Sequence, residues 1–221
     1  MKRETTKLAL IVFLCCAAML VVDGLWQPGY WIKSGIKILL FLGIPLLCSI
    51  RFPDISLRLL FRPSRRGLLR ALLLGLGVYA VILSAYFLLR GAVDFSSVLN
   101  NLPAGVTVST FPFVALYISL VNSLLEEFFF RGFAFLTLAG KMRCASLFSA
   151  IAFAIYHTAM MLGWFPPAIF LLALVGLTIG GLLFNWLNQK DGSIYTSWLV
   201  HMFANFATNT VGFILFSQLA S

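Results

Sequence analysis

Long runs of apolar residues dominate this chain, and short polar segments separate them. Seven runs are long enough, or nearly so, to cross the hydrocarbon core of a bilayer, which takes roughly 20 helical residues. They cover residues 8–22, 36–50, 68–89, 111–138, 145–164, 168–187 and 194–219. The pattern predicts an all-α fold, a polytopic transmembrane bundle of about seven to eight helices in a single integral-membrane domain, residues 1–221.

Composition agrees with this prediction. Hydrophobic residues make up 61% of the chain and charged residues 10%, whereas soluble domains average about half and a quarter. These values exclude a soluble protein, and the spans leave no room for a separate soluble domain. The basic residues Lys2, Arg3 and Lys7 before a short apolar run also resemble a secretory signal, with Ala17 and Ala18 near a cleavage site. That alternative stays open.

Basic residues predict how the chain lies across the membrane. If seven spans alternate, twelve of the sixteen Lys and Arg residues fall on one side, and basic connections stay cytoplasmic. We therefore expect a cytoplasmic N-terminus and an outer segment 91–110, with Lys33, Lys37 and Arg90 on or near the outer side. In a prokaryote the location is the plasma membrane. The net charge of +9 is accounted for by this topology and by contact with anionic lipids, so nucleic acid is not a predicted partner.

Two adjacent glutamates interrupt the run 111–138. The chain has only seven acidic residues, and Glu126 and Glu127 stand where no water solvates them, with Arg131 the only basic residue beside them. An ionisable residue inside a membrane span indicates a functional site.

The only two histidines of the chain also fall within predicted spans. His157 and His201 lie within roughly 8 Å of the midpoints of their spans at a rise of about 1.5 Å per residue, and Glu126 lies close to the midpoint of its own. Asn205 follows His201 by one helical turn and shares its face. We therefore expect these four side chains, from three helices, to meet near the bilayer centre.

Helix geometry separates the two glutamates. Glu127 and Arg131 are four residues apart and predict an ion pair on one helix face. Glu126 points about 100° away from Glu127 and is left without a cationic partner. Beside a histidine it has the arrangement for general acid–base hydrolysis. His201 and Asn205 are candidate donors to the oxygen that becomes negative when a carbonyl is attacked.

Structural interpretations stand beside these functional ones. Glu126 could be a protonated acid that hydrogen-bonds a neighbouring helix, and His201 and Asn205 could hold helices together. Gly176 and Gly180 form a G-x-x-x-G pair, which predicts a close helix contact.

Three short motifs resemble those of the CaaX-processing endopeptidase and bacteriocin-immunity (CPBP) family of intramembrane proteases. Glu126-Glu127-Phe-Phe-Phe-Arg131 is similar to its E-E-x-x-x-R motif. Phe153-Ala-Ile-Tyr-His157 is similar to F-x-x-x-H, and His201-Met-Phe-Ala-Asn205 to H-x-x-x-N. The motifs occur in the family's order, and they define a catalytic core over residues 111–219.

The resemblance implies a glutamic intramembrane endopeptidase without a cofactor. Glu126 and His157 would activate a water, His201 and Asn205 would form the oxyanion hole, and Glu127, Arg131 and Phe153 would support the site. The implied substrate is a membrane-associated peptide or protein cleaved near its C-terminus, either lipidated or with a C-terminal sorting tail.

Two alternatives remain. The two histidines and a carboxylate are also a ligand set for zinc with an open position for water, although the chain lacks an H-E-x-x-H motif and Asn205 is a poor zinc ligand. A non-catalytic interpretation is a membrane immunity or scaffold protein, or a proton-coupled carrier, because intramembrane Glu and His residues also relay protons. Carriers commonly contain internal repeats, and none is recognisable here.

Overall fold

The computed structural model describes residues 2–52 and 60–219, and these ranges contain eight helices and no strand. Part of the basic segment 51–70, which connects the second and third predicted spans and includes Arg58, lies outside the described residues. The helices are α1 (Lys2–Val21, continued by a π-helical turn, Val22–Trp26), α2 (Tyr30–Arg51), α3 (Arg65–Leu89), α4 (Ser96–Asn100), α5 (Phe111–Leu136), α6 (Ala145–Met161), α7 (Pro167–Asp191) and α8 (Tyr195–Leu219). The predicted all-helical membrane bundle is confirmed.

Six of the helices have the length and composition of a membrane span, namely α1, α2, α3, α5, α7 and α8. The remaining predicted span, 145–164, is shorter than expected, because α6 ends at Met161 after 17 residues. Gly163 follows with a backbone φ of +79°, a conformation that glycine adopts without steric cost. Pro166 and Pro167 then start α7. The helix therefore ends three residues earlier than its hydropathy suggests.

Contacts between the connections place them at two opposite ends of the bundle. At the basic end, the Ile194 amide donates to the Leu60 carbonyl, and Arg70 pairs with Asp191. At the opposite end, the Tyr30 amide donates to the Ala104 carbonyl. These pairs of connections are the ones that alternating spans bring together, and the side of the membrane on which each end lies stays a prediction.

A core rich in aromatic residues joins α1, α2, α5 and α6. The Phe41 ring of α2 stacks on Phe129 of α5 with 4.1 Å between centroids, and it contacts Phe130 and Tyr156 edge-on. A smaller cluster joins α3, α7 and α8. Phe129, Phe130 and Phe133 of α5 belong to the larger cluster, which packs this helix against α1, α2 and α6.

Much of α5 is π-helical rather than α-helical. Two stretches, Ile118–Asn122 and Glu127–Leu136, have this wider geometry and flank the short α-helical segment Ser123–Glu126. Such segments occur frequently at functional sites. The change of geometry falls between Glu126 and Glu127, which point toward different partners.

The predicted G-x-x-x-G contact in α7 is wrong. A Cβ built at Gly176 or Gly180 meets nothing within 4 Å, whereas one at the neighbouring Gly181 lies 3.0 Å from Cα and Cβ of Ala150 in α6. The close approach of α6 and α7 therefore depends on Gly181. Sequence spacing selected the wrong face because both faces carry glycine.

We expect Gly181→Val to lower the thermal stability of the purified protein in detergent, because its side chain would overlap Ala150, and overpacking costs about 1–3 kcal/mol. Gly180→Val is the matched control, since its side chain points into open space. Equal melting temperatures for the two variants would contradict the assigned contact.

Candidate active site

The side chains that the sequence placed at one depth do converge. The Oε2 atom of Glu126 lies 3.7 Å from Nε2 of His157 and 3.7 Å from Nε2 of His201. Glu126 belongs to α5, His157 to α6 and His201 to α8, and all three are buried. Although α6 is short, it includes His157, which lies four residues before its end. One carboxylate oxygen therefore faces two imidazoles from different helices.

The hydrogen bond made by Nδ1 fixes the tautomer of each imidazole. Nδ1 of His157 lies 2.7 Å from the Phe153 carbonyl, and Nδ1 of His201 lies 3.0 Å from Oε1 of Glu127. A carbonyl and a carboxylate can only accept, so both Nδ1 atoms carry the proton. In the neutral rings, both Nε2 atoms then present a lone pair toward Glu126.

The predicted contact between Glu127 and Arg131 is present. Nη1 of Arg131 lies 3.5 Å from Oε1 of Glu127, and both side chains are fully buried. The same Glu127 oxygen also faces His201. Glu127 therefore links Arg131 to an imidazole that faces Glu126, a connection that spacing along one helix does not reveal.

Aromatic rings surround Arg131. Its guanidinium carbon lies 4.1 Å from the centroid of Phe153 and 5.0 Å from that of Phe184, while none of its guanidinium nitrogens has a hydrogen-bond partner among the described residues. A desolvated cation over such ring faces gains about 2 kcal/mol or more. Phe153 and Phe184 also contact the His201 ring. Phe153, for which the sequence predicts a supporting role, therefore contacts Arg131, His157 and His201.

Asn205 lies at the edge of this group. Its amide nitrogen donates to the Ile118 carbonyl over 3.0 Å, and its side chain is half-buried. It lies one turn along α8 from His201, as predicted, and one of its two N–H groups satisfies a carbonyl at a π-helical turn of α5.

The sequence analysis missed three residues around Glu126, and one of them, Lys37, corrects an expectation stated there. Lys37, expected on or near the outer side, is a buried residue of α2 whose Nζ lies 3.1 Å from Oε1 of Glu126. Asn122 and Tyr156 also donate to this oxygen. The expectation that Glu126 lacks a cationic partner is therefore wrong.

The sequence does contain a signal for Lys37. It lies inside the predicted run 36–50 and one turn after Lys33, so both lysines share a helix face. Lys33 pairs with Asp23 over 2.7 Å near the opposite end of the bundle. A lysine within an apolar run needs a buried carboxylate as partner. Glu126 was the carboxylate for which the sequence analysis had found no cationic partner.

The two carboxylates of the site are matched by two cations, Lys37 and Arg131. No group of three or more His, Cys, Asp or Glu side chains arranged to hold a metal ion is found in the described part of the chain. The arrangement holds one carboxylate oxygen between two imidazole lone pairs, which suits the transfer of a proton.

We expect Arg131→Met to destabilise the protein by roughly 3–5 kcal/mol, because it leaves Glu127 as a buried charge without its cation. Glu127→Gln should act similarly by leaving Arg131 uncompensated. Thermal unfolding in detergent measures both. The double variant should be more stable than the sum of the single losses predicts, and strict additivity would show that the two residues do not interact.

Comparison with known proteins agrees with the motifs. The family model described as type II CAAX prenyl endopeptidase, Rce1-like, matches residues 107–207, a segment that contains Glu126, His157, His201 and Asn205. No curated protein and no solved structure matches the chain. The matched family indicates a protease of the CAAX type in an integral, multi-pass membrane protein. The resemblance to the CaaX-processing endopeptidase family is thereby confirmed for the segment of the chain that carries all three motifs.

Proposed function

We propose that this chain is a glutamic intramembrane endopeptidase that hydrolyses a peptide bond near the C-terminus of a membrane-associated or lipidated protein. The observation that carries the proposal is the approach of the Glu126 carboxylate to Nε2 of both His157 and His201 at 3.7 Å. All three groups are buried among helices with the composition of membrane spans. We assign the catalytic core to residues 111–219.

Glu126 and His157 are suited to activate a water. A water within reach of Oε2 of Glu126 and Nε2 of His157 can donate one hydrogen bond to each, because both atoms are acceptors when the ring is neutral. As the water oxygen bonds to the substrate carbonyl carbon, Glu126 takes its proton and the carbonyl electron pair moves onto oxygen. The C–N bond then breaks, and the departing nitrogen receives the proton from Glu126.

His201 and Asn205 are the proposed donors to the carbonyl oxygen as it becomes negative. Nε2 of His201 donates only when the ring is an imidazolium, and the Glu127 carboxylate 3.0 Å from Nδ1 would stabilise that cation. Asn205 supplies the N–H that the Ile118 carbonyl does not use. Donors fixed before the reaction stabilise this charge most strongly in a site without bulk water.

The depth of the site selects the substrate class. A peptide bond reaches Glu126 only when its neighbours are stable among membrane spans, and a lipid chain contributes about 0.8 kcal/mol for each buried CH₂ group. A prenylated C-terminal segment satisfies this condition, as does an apolar C-terminal sorting tail. The matched family description names prenyl endopeptidases for its members.

Zinc is the mechanistic alternative, with His157, His201 and Glu126 as its ligands. The Lys37 ammonium group, 3.1 Å from the same carboxylate, opposes a divalent cation there, because like charges repel strongly where the dielectric constant is low. This observation favours water activation by Glu126 and His157 alone.

We expect cleavage by the purified protein to continue after dialysis against a chelator. The measurement is the turnover of a prenylated peptide before and after chelation, and after zinc is added back. Loss of turnover that zinc restores would reverse the assignment.

We expect Glu126→Gln to reduce cleavage by roughly 10²–10⁴-fold, the usual contribution of a positioned acid or base, because an amide cannot take up the proton. His157→Ala should reduce it as well. Mass spectrometry of membrane peptides from cells with and without each variant measures the loss. Glu4→Gln, at an exposed glutamate of α1, is the matched control.

The same variants distinguish hydrolysis from a non-catalytic immunity, scaffold or carrier role. If the cellular phenotype survives both Glu126→Gln and His157→Ala in folded protein, hydrolysis is not its basis.

A further inference from the structure

One of the two oxygens of the Glu126 carboxylate accepts hydrogen bonds from three side chains. Oε1 lies 3.1 Å from Nζ of Lys37, 2.9 Å from Nδ2 of Asn122 and 3.3 Å from the hydroxyl of Tyr156. Lys37 also donates to Oδ1 of Asn122 over 2.7 Å. We call Lys37, Asn122 and Tyr156 the Oε1 clamp.

The other oxygen has a different environment. Oε2 faces only the Nε2 atoms of His157 and His201 among its charged and titratable neighbours in the described ranges, and these are acceptors in the neutral rings. Three donors occupy the electron pairs of Oε1, whereas those of Oε2 stay available. The carboxylate is therefore asymmetric, and Oε2 is the oxygen able to receive a proton.

The clamp also fixes the plane of the carboxylate. Its members come from α2, α5 and α6, so a rotation of the Glu126 side chain would break contacts with three helices. The Lys37 ammonium group lies 5.0 Å from the centroid of Tyr156, a second contact with the same clamp residue. Burial of a lysine carries a large desolvation cost. Contacts of Nζ with Oδ1 of Asn122, Oε1 of Glu126 and the Tyr156 ring offset this cost together.

We propose that Lys37, Asn122 and Tyr156 are positioning residues for the hydrolysis proposed above: they hold Oε1 so that Oε2 receives the proton of the water. Lys37 also places a positive charge 3.1 Å from Oε1 of this carboxylate. The inference rests on the proposed function and adds to it three residues that none of the three motifs specifies.

A purely structural role is the competing explanation, and the chain contains its own control. Lys33 lies one turn before Lys37 in α2 and pairs with a buried carboxylate, Asp23, over 2.7 Å. No contact connects Lys33 to Glu126 among the bonds and ion pairs of the described residues. Loss of Lys33 removes a half-buried, ion-paired lysine of the same helix without touching the clamp.

The test measures kcat, KM and the pH dependence of cleavage of a prenylated peptide by purified Lys37→Met, Tyr156→Phe and Lys33→Met proteins. We expect Lys37→Met to lower kcat about 10–100-fold, the effect typical of groups that orient a reactive residue, with KM within about twofold because Lys37 does not touch substrate. Tyr156→Phe should lower kcat less, also at constant KM. Lys33→Met should leave both constants unchanged.

The pH profile separates charge from packing. Lys37→Met removes the positive charge beside Glu126, so the acidic loss of activity should move to higher pH in this variant. The other groups that face Glu126, namely His157 and Tyr156 of α6 and His201 of α8, are unchanged in that variant. Tyr156→Phe removes no charge and should not move the acidic limb.

Wild-type kcat and pH profile in folded Lys37→Met would overturn the inference, and so would a raised KM at unchanged kcat, which would place Lys37 on the substrate. If Lys37→Met does not fold, Tyr156→Phe provides the test. An unchanged kcat in Tyr156→Phe would then overturn the positioning role of the Oε1 clamp. Failure of the proposed function looks different, because cleavage by the wild type would then be absent or would survive Glu126→Gln.

Discussion

Compensation of buried charge is the constraint on which this molecule depends. Two carboxylates lie together where water does not solvate them, and each needs a cation within the protein. Arg131 supplies one from the same helix and Lys37 supplies the other from α2. The requirement ties α2 to α5, and the imidazoles of α6 and α8 complete the group. The packing of four helices and the chemistry of the site therefore depend on the same contacts.

The two carboxylates have different contacts and different proposed roles. Glu127 contacts Arg131 and His201 and holds the imidazole in one tautomer. Glu126 faces both imidazoles with one oxygen and is held by the other. The two side chains point about 100° apart around α5, so Glu126 reaches α2 and α6 in addition to α8, whereas Glu127 contacts Arg131 and His201.

The sequence predicted the features that depend on local spacing or on the bilayer. Apolar runs predicted the spans, and a separation of four residues predicted the contact of Glu127 with Arg131. Similar depth predicted that Glu126, His157 and His201 would meet. Lys37 was misplaced because its partner is 89 residues away, and hydropathy near the end of a run does not distinguish a lysine that reaches inward from one that reaches water. Gly181 was missed because its contact with Ala150 depends on the rotation of α7, which no spacing rule determines.

The shortness of α6 has a consequence for the surrounding lipid. Its 17 residues measure about 25 Å, less than the roughly 30 Å of hydrocarbon in an average bilayer. Hydrophobic mismatch of this kind is relieved when the lipid leaflet thins around the short helix. His157 lies four residues before the end of α6, about 6 Å along its axis, so a dimple in the leaflet at this point would bring the headgroup layer, and the water within it, close to the imidazole.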